Sequence, residues 1–234
     1  MKIRRSSVIE DERRRVIEDG EVPLIPKLII EGVNLKGSDS FGCTALHWAA
    51  QRGDVNIAKI LLDSQTNDVN CIDDEGKTPL HFSVIVGHLD MVKFLIERGA
   101  DVDAVAGDGT TPIFHAVMEY SPEFILTLAE YDCKMNVSDE YGSTPLHRAV
   151  ETGDINVVCA LFKSKTIDVD FTNAKCRKNT ALHLAAEKDY DEIANYLIDN
   201  GANLEALNED GETPLQVATK RRHKATCDLI REKM

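Results

Sequence analysis

Seven histidines, six cysteines and forty carboxylates give this chain ample material for metal binding or acid–base chemistry. Their spacing argues against both. His47, His81, His115, His147 and His183 recur at repeat-like intervals, and His88 and His223 stand apart from them. Side chains placed once per repeating unit form a row, whereas a metal site needs three or four donors converging on one point. Cys43, Cys71, Cys133, Cys159, Cys176 and Cys227 contain no Cys-x-x-Cys pair and no constant spacing, so neither a zinc nor a disulfide framework is expected. The chain also lacks a Gly-x-Ser-x-Gly elbow, a phosphate loop ending in Lys-Ser or Lys-Thr, and a His-Glu-x-x-His run. No catalytic residue, metal or cofactor is expected.

The elements that position these histidines explain the row. The stretch Asp139-Glu140-Tyr141-Gly142-Ser143-Thr144-Pro145-Leu146-His147 is written repeatedly along the chain. Its threonine recurs at 44, 78, 111, 144, 180 and 213, every 33 to 36 residues. A fixed period in that range marks stacked supersecondary units rather than one globular core. Within a unit, Thr can cap a helix through its hydroxyl, Pro presets the first turn, and Gly ends the helix. Val55, Ile57, Ile60, Leu61 and Leu62 then mark a second helix over about 55–63 by their spacing.

These residues resemble the ankyrin repeat family. The resemblance rests on Asp139 with Gly142, on Thr144 to Ala149, on Gly53-Asp54 or Gly87-His88, and on Gly99-Ala100-Asp101-Val102. It implies an all-α fold, a solenoid of stacked antiparallel helix pairs with β-hairpin-like fingers. It also implies that each His ties its own Thr to backbone groups, joining neighbouring units. The expected organisation is a basic tail and helix at 1–20, a degenerate capping repeat at 21–38, five repeats at 39–206 and a C-terminal capping repeat at 207–234. Two places depart from the pattern. Repeat three has Ala106 for the finger Asp and Phe114 for His. Repeat five has a longer entry with Lys175, Arg177 and Lys178, and Asn179 is expected in the Gly place because Asn tolerates left-handed backbone.

Members of this family mostly bind other proteins, through finger tips and the inward side of the first helix of each pair, which line a concave face. The resemblance therefore implies a non-enzymatic protein-interaction module, an adaptor, scaffold or inhibitor. Carried over by position, the protein-binding residues are Phe41, Trp48, Arg52, Asp74, Glu75, Ile85, Val86, Asp108, Met118, Glu119, Tyr141 and Glu151. Aromatic residues and Met are frequent interface anchors. Trp48 and Val86 have a second reading as packing between repeats. The acidic members, with Glu140, suit a partner carrying a basic patch.

The net charge of −13 over 234 residues disfavours direct nucleic-acid binding, which needs Lys and Arg on the phosphates. Residues 1–30 show no apolar core followed by a small-residue cleavage site, and no apolar run approaches about 18 residues, so no secretion signal and no membrane span are expected. The expected setting is the cytoplasm, with the nucleus as a second compartment, and the expected unbound state is a monomer. A different class of reading makes the chain a switch or substrate of a modifying enzyme. Arg4-Arg5-Ser6-Ser7-Val8 resembles a basophilic kinase site with Ser7 as acceptor, and Leu62 followed by Asp68-Val69-Asn70 resembles an asparagine-hydroxylation site with Asn70 as acceptor. A third makes it the binding part of a larger enzyme or channel.

Overall fold

The computed structural model describes residues 2–18, 21–64, 67–119, 121–164, 166–172, 175 and 177–234, with backbone alone for 2–7, 17, 18 and 22. The chain divides into two compact units, 1–112 and 113–234.

The first unit opens with α1 (Lys2–Glu18), a 3-10 turn (Val22–Leu24) and α2 (Ile25–Ile30). The basic start is helical rather than a tail running into a helix. Val16 anchors the end of this helix: it is fully buried, as are Ile25, Leu28 and Leu35 of the segment that follows, and α1 packs on α2. Charges fix the rest. Arg13 donates to the Asn34 and Lys36 carbonyls at 2.8 and 3.1 Å. Arg15 pairs with Glu21 and Lys27 with Glu12, both at 2.5 Å. Two helix pairs follow: α3 (Ala45–Arg52) with α4 (Val55–Asp63), and α5 (Pro79–Val86) with α6 (Leu89–Glu97). First helices pack on first helices, α3 on α5, and second on second, α4 on α6. Ala45, Ala49 and Ala50 are fully buried in the stack, where their small size lets α3 approach its neighbour closely.

The second unit takes in nearly all of α7 (Pro112–Met118), then α8 (Pro122–Glu130), α9 (Pro145–Thr152), α10 (Ile155–Leu161), α11 (Ala181–Lys188), α12 (Asp191–Asp199), α13 (Pro214–Arg221) and α14 (Lys224–Lys233). The same rule holds. α9, α11 and α13 stack in one layer, and α8, α10, α12 and α14 in the other. Ala149, Ala181, Ala185, Ala186 and Ala218 are the fully buried small residues of the first layer. Among the described residues, extended pairing is confined to one bridge, Ser38 with Thr44. The fold is thus all-α stacked helix pairs with hairpin-like fingers, as the resemblance implies.

The Thr-x-x-His chemistry operates as expected. Thr144 sits in extended backbone and its N–H donates to His147 Nδ1 at 3.2 Å, while its hydroxyl accepts from the His147 N–H at 3.3 Å. A backbone N–H can only donate, so Nδ1 is the acceptor and the proton is on Nε2. That N–H then donates to the Asn179 carbonyl of the next repeat at 2.8 Å. His47 reaches the Lys77 carbonyl and His183 the Glu212 carbonyl, each at 3.0 Å. Each such cap contributes about 1 kcal/mol.

Burial lowers the pKa of His47, His147 and His183 below the ordinary histidine value of about 6.5. The folded rings therefore bind protons more weakly than the unfolded chain does. Their contribution to stability is complete above about pH 6.5 and is lost as the pH falls toward the folded values. The urea midpoint is expected to drop between pH 7.5 and 5.5, with net proton uptake on unfolding. An unchanged midpoint would contradict the lowered pKa of these buried rings.

Candidate functional site

The fingers hold their backbone by local turn hydrogen bonds and expose side chains at their tips. Asp39 Oδ1 accepts from the Phe41 and Cys43 N–H groups at 2.8 and 2.9 Å. Asp73, Asp139 and Asn208 repeat this arrangement at their own tips. Neighbouring tips are joined through backbone, Asp74 N–H to the Phe41 carbonyl at 2.9 Å and Gly107 N–H to the Glu75 carbonyl at 2.7 Å. Where Ala106 replaces the finger Asp, Asp108 Oδ1 takes over and accepts from the Thr110 N–H at 3.0 Å. Two large side chains beside these turns face solvent. Phe41 is 71% exposed and Tyr141 63% exposed.

In the first unit, Asp74, Glu75 and Asp108 are exposed at the tips, and Lys77 pairs with Glu75 at 2.5 Å. At the end of α3, Arg52 is exposed and Trp48 is half-buried. At the end of α5, Val86 is exposed, whereas Ile85 is half-buried. Behind this face, burial pushes the Cys43 thiol up to about 12 and the Cys71 thiol to about 11, so neither is a thiolate nucleophile at neutral pH.

In the second unit, Met118 and Glu119 are exposed at the end of α7. Tyr141 and Glu151 are brought together by a residue that sequence reasoning passed over. The Arg148 guanidinium donates through Nε and Nη2 to Asp139 Oδ2 at 2.9 and 2.5 Å. Its Nη1 donates to Glu151 Oε2 at 2.9 Å, and it lies 5.6 Å from the centre of the Tyr141 ring. Glu151 is consequently half-buried and charge-paired rather than part of a free acidic band. A signal for Arg148 was present: the residue after the motif His is Trp48, Phe82, Leu184 or, after its Phe and Gln substitutes, His115 and Val217, and a permanent cation only here.

Tyr141, Arg148 and Glu151 form one side of a cavity of about 380 Å³, with Lys175, Arg177, Asn179 and Leu184 on the other. Lys175 Nζ donates to the Glu140 carbonyl at 3.3 Å, and Arg177 pairs with Asp210 at 2.5 Å. The Gly place of this finger is not at Asn179. Lys178 and Arg177 carry the left-handed backbone, at φ +53° and +58°. The required conformation is set by distance from Thr180, and Lys178 occupies the position two before it.

Ser7 lies in α1, and its side chain is outside the described residues. The Asn70 amide is engaged: Nδ2 donates to the Gly99 carbonyl at 3.2 Å and Oδ1 accepts from the Asp101 N–H at 2.8 Å. Asn136 makes the same pair of bonds to Thr166 and Asp168. These staples give an asparagine at this repeat position a structural explanation. Among the described residues, no group of three or more His, Cys, Asp and Glu side chains is arranged to hold a metal ion, and no helix is long and apolar enough to cross a membrane.

The family described as ankyrin repeats (3 copies) matches residues 15–106, 101–173 and 165–234. The chain is 37% identical over 101 residues to the 26S proteasome non-ATPase regulatory subunit 10 of Dictyostelium discoideum, covering 43% of this chain and 44% of that protein. It is 31% identical over 214 residues to the B-cell lymphoma 3 protein homolog of Mus musculus, covering 90% of this chain and 39% of that one. Less than half of the length of either relative is spanned. The solved ankyrin repeat domain of Bcl-3, described as a unique member of the IkappaB protein family, superposes with a TM-score of 0.81 at 23% identity, over 94% of this chain and 97% of that domain. At that identity the likeness establishes the fold alone.

Proposed function

The chain belongs to the ankyrin repeat family, whose domains are protein-interaction modules, and from that premise we propose that it is a non-enzymatic adaptor, scaffold or inhibitor. It grips one protein partner with the concave face formed by finger tips and the inward ends of the first helices. The observation that supports this most is the pairing of rigid turns with exposed aromatics at Phe41 and Tyr141. Large apolar side chains held on a fixed backbone bind with little ordering cost, and such residues are common interface anchors. In the first unit Val86, Arg52, Asp74, Glu75 and Asp108 extend the contact, with Trp48 and Ile85 half-buried beside them; in the second, Met118 and Glu119 extend it, with Glu151 half-buried.

In this reading the acidic tips of the first unit receive Lys or Arg from the partner, and added salt slows association. Residues 21–38 and 207–234 serve as capping repeats, and the unbound chain is a monomer. The setting is the cytoplasm, extending to the nucleus, where the free thiols stay reduced. The names of the two relatives, a proteasome subunit and a B-cell lymphoma 3 homolog, are compatible with such a role without selecting a partner. The test is photo-crosslinking in cells with a benzophenone amino acid placed at Phe41 or Tyr141, or at Lys59 or Lys93 on the second helices. Adducts from the first two positions are expected. Adducts from Lys59 and Lys93 alone would overturn the reading.

A further inference from the structure

We propose that the finger of repeat five selects the partner, and that it takes a carboxylate-rich stretch of that protein with an apolar side chain seated in the adjoining cavity. This rests on the binding face proposed above and names the chemistry that one part of it recognises.

The backbone supplies the first observation. Two residues before the motif threonine stand Gly42, Gly76, Gly109, Gly142 and Gly211, at φ +78°, +76°, +81°, +81° and +71°. Repeat five has Lys178 there, at φ +53°, preceded by Arg177 at +58°. Left-handed backbone is costly for any side chain with a Cβ, and glycine would remove that cost at position 178. Strain of this kind is concentrated at functional sites. Here it is spent on two consecutive cations, both exposed.

Charge is the second observation. The chain as a whole is strongly acidic, yet Lys175, Arg177 and Lys178 gather at this one finger. The finger is tied down by the Glu209 N–H donating to the Arg177 carbonyl at 2.8 Å. The Arg177–Asp210 pair is itself exposed, with 64% and 46% of the two side chains accessible, so a partner carboxylate can exchange with Asp210 at little net loss.

The cavity is the third. Its Tyr141 ring and Leu184 offer apolar surface beside the cations, and the Arg148 charge is already taken by Asp139 and Glu151. A segment placing an aromatic or aliphatic residue among Glu or Asp matches this arrangement. A basic segment would meet Arg177 and Lys178 instead.

The experiment uses the whole ¹⁵N-labelled chain and two peptides, acetyl-Glu-Glu-Phe-Glu-Glu-amide and acetyl-Lys-Lys-Phe-Lys-Lys-amide. The glutamate peptide is expected to shift the Arg177, Lys178 and Tyr141 amides, less so as salt is added, and the lysine peptide is not. Lys178→Gly should then weaken the glutamate peptide about threefold while raising the urea midpoint, because strain and charge leave together. Lys178→Arg should bind as the native chain does. A residue kept only for structure would not lose binding as the fold gained stability. Equal shifts with the lysine peptide, no shifts with the glutamate peptide, or full binding by Lys178→Gly would overturn the inference. Crosslinking from Tyr141 separates the two levels. If it persists when the peptides fail, the charge preference alone is wrong, and if it fails too, so is the face.

Discussion

Replacing Phe114 by alanine is expected to lower the unfolding free energy of the second unit by about 3–5 kcal/mol, the range for truncating a buried Phe. Phe114 stands where four repeats have His47, His81, His147 and His183, and where repeat six has Gln216. It is fully buried and among the largest buried side chains. A packing ring thus stands where the other repeats have a hydrogen-bonding one. Thr111 records the loss, since its buried hydroxyl has no hydrogen-bond partner among the described residues. Repeat three therefore depends on packing where its relatives depend on polar staples, and the alanine variant leaves it with neither. Urea unfolding followed by circular dichroism measures the effect. A loss under about 1 kcal/mol would mean that the site collapses around the missing ring.

Gly42→Val should be the most damaging change on the finger tips. The backbone there is left-handed at φ +78°, which a β-branched residue adopts only under strain. A Cβ would also stand 2.6 Å from both the Asp74 backbone nitrogen and its Oδ1. The nitrogen belongs to the inter-finger hydrogen bond from Asp74 to the Phe41 carbonyl, so relief of the clash opens that bond. Backbone strain and overpacking together put the cost at about 3 kcal/mol. Hydrogen exchange at the Asp74 amide should accelerate in the variant, and unchanged exchange there would contradict the assigned clash.

Those two positions show what a single sequence reveals about such a chain. Thr caps, Pro at the first turn and Gly at the helix end are local devices, so their recurrence gave the helix pairs and nearly their bounds, as with α4 at Val55–Asp63. Side-chain partnerships across several residues were harder to see. Arg148 folds back nine residues to Asp139, and that contact turns Glu151 from a free acid into half of a pair. Val16 lies in a mostly charged helix, and its burial together with the Arg13, Arg15 and Glu12 contacts, none of them visible in the apolar pattern, holds that helix. At repeat five, residue preference pointed to Asn179, but register from Thr180 decided for Lys178. Exposure at helix ends was equally hidden. Val86 and Ile85 are adjacent and similar, and only the packing of α5 separates them.

In both units the finger-tip side, and not the second-helix side, is proposed to carry the partner. The most direct measurement is quantitative capture from cell extract by the native chain, by Phe41→Ala with Tyr141→Ala, and by Lys59→Glu with Lys93→Glu. Both variants should keep the native circular dichroism spectrum, because each changed side chain is exposed. A specific partner captured by the native chain should be lost, by about tenfold or more, with the aromatic double variant and retained with the lysine variant. Retention with the first and loss with the second would contradict it.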